Sequence, residues 1–142
     1  MKTLFHALTA TLLVALLVGC CSCRSKQRKE VRPLVGTEWQ LIQLGGEKIT
    51  PEADQYTLQL LAEEQQLAGQ GACNRLTGRY DKGEQRALRF TQLASTRMLC
   101  PDADTETRYF ATLESVTHYD HDGAMLLLFS NSDLVAVLQA KE

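Results

Sequence analysis

The chain lacks the signatures that most often betray a reaction. Its three glycine-spaced positions Gly69, Gly71 and Gly78 fail the phosphate-loop pattern: Asn74 stands where the third glycine of G-x-G-x-x-G belongs, and no Gly-Lys-Ser/Thr follows. That excludes the two commonest nucleotide cradles. It has only three histidines, and His6 lies in the leader. No nucleophile stands beside a general base in a recognisable pattern, so no catalytic residue is assigned and the chain is read as a non-enzyme. There is no zinc-binding spacing of Cys and His, so no metal and no cofactor are assigned. Internal repeats, low-complexity tracts and a second domain are also missing. The longest apolar run, from Leu4 to Gly19, is shorter than the roughly 20 residues of a membrane span.

That run has another meaning. Lys2 is the only charge before Arg24, and "ALTATLLVALLVG" leads directly to Cys20. A charged start, a short hydrophobic stretch and a small residue before the cut form a secretory signal peptide. Leu17-Val18-Gly19-Cys20 resembles the lipobox of bacterial lipoproteins. The resemblance implies cleavage after residue 19 and acylation of Cys20, with two or three acyl chains giving stable anchoring where one does not. An ordinary cleaved signal is the alternative. Position 21 is Cys21 and not an acidic retention residue, which implies the outer membrane, periplasmic side; a Gram-positive host would change that address. Cys21 and Cys23 beside the anchor offer soft ligands for copper or zinc, acylation sites, cross-links between chains or nothing specific.

Residues 20–33 read as a basic tether: Arg24, Lys26, Arg28, Lys29 and Arg32 oppose the lone Glu30. Such a segment is flexible, and each cation near an anionic lipid surface contributes about 1 kcal/mol. Nucleic acid is not an expected partner, because residues 34–142 carry sixteen acidic against nine basic residues. This body is one small domain.

Its pattern is mostly that of strands. Residues 35–44, 56–62, 67–74, 75–81, 87–96, 124–130 and 134–140 read as seven strands; in the second, Tyr56, Leu58 and Leu60 face inward. Pro101 and Asp102 open one helix, with Asp102 or Asp104 able to cap it. Glu106, Tyr109 or Phe110, Leu113 and Val116 recur at helical spacing, and the helix is expected to end near His118–Asp120. "HYDHD" reads as a polar turn whose His118, Asp120, His121 and Asp122 form at best a weak metal cluster. The fold class is therefore α+β: a strongly curved antiparallel sheet or partial barrel of about seven strands with one helix packed on it.

The body has two cysteines, Cys73 and Cys100. Export to an oxidising compartment favours a bridge between them. Two thiols packed as small hydrophobes are the alternative.

"GTEWQL", "GACNRLTGRY" and "STRMLCP", in that order, resemble the META/HslJ family of small bacterial domains. Ala72 and Leu76 depart from its usual pattern, where a Gly often precedes the Cys and an aromatic is frequent at the second position. The resemblance implies an exported lipoprotein linked to envelope stress, with no established reaction. It also implies a surface formed by Asn74, Arg75, Thr96 and Arg97, either a docking patch or a set of bend-holding groups in which Arg97 pairs with an acid such as Glu106. The expected role is binding or support of an envelope protein partner. Carriage of a lipid or small hydrophobic ligand, or a metal- or redox-responsive role, are the alternatives.

Overall fold

A computed structural model describes residues 31–142. The leader, Cys20, Cys21, Cys23 and most of the basic tether lie outside the described residues.

The body is one curled antiparallel sheet with one helix. Nine strands follow in chain order: β1 Glu38–Leu44, β2 Glu47–Lys48, β3 Thr57–Leu60, β4 Gln66–Gln70, β5 Arg75–Lys82, β6 Leu88–Ser95, β7 His118–Asp122, β8 Met125–Ser130 and β9 Asp133–Ala140. Helix α1, Ala103–Glu114, separates β6 from β7. The sheet order is β6-β5-β4-β3-β1-β9-β8-β7, with β2 added to β1. The α+β half-barrel expected from the alternating pattern is what forms.

The alternation built the wall as read. Trp39, Leu41, Leu58, Leu60, Leu67, Leu76, Tyr80, Leu88, Leu126, Leu128 and Leu138 all point inward and are buried. Full burial of such a side chain contributes about 1.5–3 kcal/mol. Trp39 is fully buried, and its indole N–H reaches the Leu34 carbonyl at 3.1 Å. α1 lays Glu106, Tyr109 and Leu113, one helical face, against this core. Tyr109 meets Tyr56 edge-on, centroids 5.8 Å apart, and its hydroxyl donates to the Thr57 carbonyl at 3.3 Å.

Several expectations are corrected. The sheet has nine strands where seven were read. The loop after β1 contributes the two-residue β2, and "HYDHD" is strand β7, paired with β8 from His118↔Phe129 to Asp122↔Met125. The helix accordingly stops at Glu114, well before His118. Alternation in β7 puts Tyr119 and His121 on the face opposite His118 and Asp120. His121 thus stands apart from His118, Asp120 and Asp122, and among the described residues the four form no close group of ligand atoms. Residues 71–74 leave the sheet as a bend, so β4 ends at Gln70.

The sheet curls until its edges touch. Ala87 bridges His118, Leu88 N–H donates to the Thr117 carbonyl and Tyr119 N–H to the Arg86 carbonyl, both at 3.0 Å. Arg86 and Asp120 add an ion pair there. Two ends follow from the registers. At one end lie the Gly123 turn, the end of β9 and the start of β1, joined through Trp39↔Ala140 and Met125↔Gln139. The chain arrives there too, with Arg32 N–H 3.4 Å from the Gly123 carbonyl. At the other end lie the start of β5, the end of β4 and the end of β6, joined through Gln70↔Arg75 and Leu76↔Ser95.

Candidate functional site

The second end carries the molecule's densest polar construction. Three segments meet there: the 71–74 bend, the irregular stretch 96–101 and the start of α1. Cys73 and Cys100 join the first two in a disulfide, Cα atoms 6.1 Å apart, closing a sequence separation of 27 residues.

Asn74 is the centre of this rim. It is 5 % exposed. Its Oδ1 accepts from the Thr96 hydroxyl at 2.8 Å and from Met98 N–H at 2.7 Å. Its Nδ2 donates to the Met98 carbonyl at 3.1 Å and to Glu106 Oε1 at 2.5 Å. Thr96 Oγ1 in turn accepts Arg75 N–H at 3.1 Å. Asparagine suits the place because its amide offers both donor and acceptor, as a paired strand would.

Glu106 comes up from α1 beneath the bend. Its Oε2 accepts Cys73 N–H at 3.0 Å and Asn74 N–H at 2.9 Å. Burial pushes its carboxyl up, but the hydrogen bonds from Asn74 and from the bend's N–H groups outweigh that and hold it below the usual 4.5. Gly71 makes the approach possible: a Cβ there would stand 2.6 Å from Glu106 Cγ. Gly69 and Gly78 serve similar close approaches, to the Thr57 carbonyl and to Leu93. At the helix start, Asp102 occupies the N-cap position without a side-chain cap bond, and instead accepts the Tyr56 hydroxyl. That bond lowers the Asp102 carboxyl, while burial first and Asp102 second raise the Tyr56 phenol.

The four residues expected to share a surface are brought together but divide in role. Asn74 is buried, and with Thr96 it satisfies backbone groups at the bends. Arg75 and Arg97 are exposed. Arg97 makes no ion pair with Glu106, which is occupied by Asn74 and the bend; that expectation is corrected. Sequence reasoning missed the most exposed feature of the rim. Met98 is 57 % exposed and Leu99 fully so, on a stretch pinned by the disulfide and by Asn74. The signal was an apolar pair between Arg97 and Cys100 outside any strand alternation. Glu106 also left a trace, as a charge on the apolar stripe of the helix.

Two clefts, about 290 and 340 Å³, lie on the outer wall; Glu38, Gln59, Gln70 and Arg75 line the first, Gln40, Ile42 and Lys141 the second. Inside the wall, Trp39, Tyr56, Tyr109 and the leucines occupy the space.

These features define a half-barrel with one helix, one rim of which is fixed by buried polar side chains. The chain matches the META domain model over residues 32–142, and it belongs to the META domain family. Two solved structures share the fold. One, described as the NMR structure of the protein from Burkholderia xenovorans, is 25 % identical with a TM-score of 0.61, covering 76 % of this chain and 83 % of that one. Another, described as an NMR structure of a protein, is 19 % identical with a TM-score of 0.60, covering 75 % and 90 %. No curated protein matches the chain.

Proposed function

We propose that the protein is a lipid-anchored envelope component whose META domain is a non-enzymatic docking module, supporting a protein partner during envelope stress. The observation that carries this reading is Leu99. A fully exposed leucine beside a mostly exposed methionine forfeits hydrophobic stabilisation. The stretch is nevertheless held by a disulfide and by both backbone groups of Met98. Preorganising an apolar tip lowers the entropy cost of inserting it into a partner.

Topology supports the orientation. The described chain starts beside the Gly123 turn, at the end opposite Leu99. An anchor at Cys20 would leave the Leu99 rim facing away from the membrane, toward the periplasm of an outer-membrane host. Arg75 and Arg97 flank the apolar pair on an otherwise acidic body, which suits a pocket with an apolar floor and an acidic rim.

Site-specific photo-crosslinking in cells tests the docking reading. A photoreactive residue at position 99 should capture one envelope protein in cells with the wild-type anchor and not in Cys20→Ala cells. The same residue at Glu84, in the β5–β6 turn, should capture none. Equal labelling at both positions would sink the docking reading. Absence of a metabolic acyl label on Cys20 would sink the anchor.

A further inference from the structure

The rim also holds a donor set that its present bonding conceals. The sulfurs of Cys73 and Cys100 and a carboxylate oxygen of Glu106 lie within 4.8 Å of one another. Glu106 is 5 % exposed, and among the described residues no cation pairs with it; the N–H groups that face it are neutral dipoles. A buried carboxylate balanced by dipoles alone, beside two sulfurs, is an electrostatically open position for a cation.

We infer that, once the disulfide is reduced, Cys73, Cys100 and Glu106 form a three-ligand site for a thiophilic divalent cation of the zinc class. Two thiolates and a carboxylate are ligands zinc accepts, and three protein ligands leave its fourth position for water. Cys73 and Cys100 are both half-buried, so the sulfurs lie within reach of solvent at the rim. Tetrahedral zinc–sulfur bonds of about 2.3 Å need sulfurs roughly 3.8 Å apart. The bonded pair must separate; beyond Met98, which Asn74 holds, the stretch from Leu99 to Pro101 contains no strand pairing to resist it. Asn74 and the bend N–H groups already orient the Glu106 carboxylate, the role that outer partners of metal ligands play.

The chemistry balances with a dithiol reductant. One of its thiolates attacks Cys73 or Cys100, the S–S bond breaks, and the mixed disulfide resolves as the reductant closes on itself. Two electrons pass to the protein sulfurs and two protons end on them. Binding the cation releases those protons to solvent. The cation then pins the rim where the disulfide had pinned it, so Met98 and Leu99 stay presented in either redox state.

The test uses the full chain in detergent with Cys20→Ser, Cys21→Ser and Cys23→Ser, leaving only the two rim thiols. After reduction by a phosphine, which is then removed, cobalt(II) is titrated. The expected result is a sulfur-to-cobalt charge-transfer band with tetrahedral visible bands, displaced by one equivalent of zinc and absent from the oxidised protein. Cys100→Ser should abolish the band. Glu106→Gln should weaken binding by more than about tenfold, the loss that removing even an outer partner brings. Because that variant also disturbs the fold, melting supplies a second readout: one equivalent of zinc should raise the Tm of the reduced protein and not of its Cys73→Ser form. No charge-transfer band, a band indifferent to Glu106→Gln, a zinc shift shared by Cys73→Ser, or unfolding on reduction that zinc does not reverse would each overturn the site.

Discussion

One side chain of Asn74 holds both backbone groups of Met98, taking its N–H at 2.7 Å and giving to its carbonyl at 3.1 Å. The Asn74 amide thus substitutes for a neighbouring strand where the chain has left the sheet. The same nitrogen ties this arrangement to the helix through Glu106. Rim, bend and helix are consequently one unit, and disturbing any member should be felt by the others.

Asn74→Ala is the most direct disturbance. It strips the partner from Met98 N–H and from one oxygen of a buried, ionised Glu106. Losing bonds to a buried charge costs about 1.5–3 kcal/mol. Urea unfolding should show a midpoint lowered accordingly with an unchanged slope. Asn74→Asp should be worse, because it places a second carboxylate against the first. A loss below about 1 kcal/mol for either variant would mean the rim is not a unit.

The carboxyl of Glu106 sets an acid limit. Its folded value lies below the ordinary 4.5. Above that value the group is ionised in both states and its contribution is complete. As pH falls through 4.5 the unfolded chain takes up the proton first, and stability declines until the folded carboxyl is protonated too. Asp102, held by Tyr56, adds a decline of the same sign. Melting temperature against pH should therefore drop on the acid side. Glu106→Gln should be less stable near neutrality and show a shallower drop.

The wall of this domain was legible in its sequence because period-two alternation is a local property. Leu58 and Leu60, or Leu76 and Tyr80, declare their inward face within a few residues. The helix was legible up to its end, where the polar run "HYDHD" reads as a turn. It becomes a strand because β8 offers a ladder and the opposite edge reaches it through Ala87. That is a tertiary override of local preference. The disulfide was accessible by counting cysteines in a chain whose leader reads as an export signal. Glu106 was different: its position on the buried stripe was visible, but its partners lie 32 and 33 residues away. No local pattern announces that a carboxylate will cap a bend rather than pair with Arg97. Leu99 was hidden for the converse reason, since exposure depends on what fails to cover a residue.

Gly71 tests the packing between bend and helix. Its Cβ would meet Glu106 Cγ at 2.6 Å, with the carboxylate fixed by three N–H donors. Overpacking of this kind costs about 1–3 kcal/mol. Gly71→Ala should fall in that range. Gly36→Ala makes a useful contrast, since nothing lies within 4 Å of its Cβ but its φ is +90°. Its cost is backbone strain of about 1–3 kcal/mol, so it should leave the Glu106 pH profile intact while Gly71→Ala alters it.

The disulfide should matter chiefly for the unfolded chain. Closing a loop of 27 residues contributes about 3.5 kcal/mol in the chain-entropy model. Cys73→Ser and Cys100→Ser should each lower stability by about that amount. The double variant should cost no more than either single one. An additive double variant would show that each sulfur is packed independently of the bond.

Leu99 separates docking from folding. Its side chain is fully exposed, and neither the core nor the rim's hydrogen bonds depend on it. Leu99→Ser should leave the unfolding free energy from urea within about 0.5 kcal/mol of wild type, as surface changes do. Asn74→Ala fails to keep the tip in place and loses stability as well. If the apolar tip is what a partner grips, Leu99→Ser should abolish the position-dependent crosslink read from a photoreactive residue at Met98, with the fold intact. Arg97→Gln should weaken that crosslink and make it less sensitive to salt, because it removes an attractive charge beside the tip. A Leu99→Ser protein that still crosslinks at wild-type yield would place the partner's grip elsewhere. The outer clefts beside Arg75 and Lys141 would then be the next surfaces to probe.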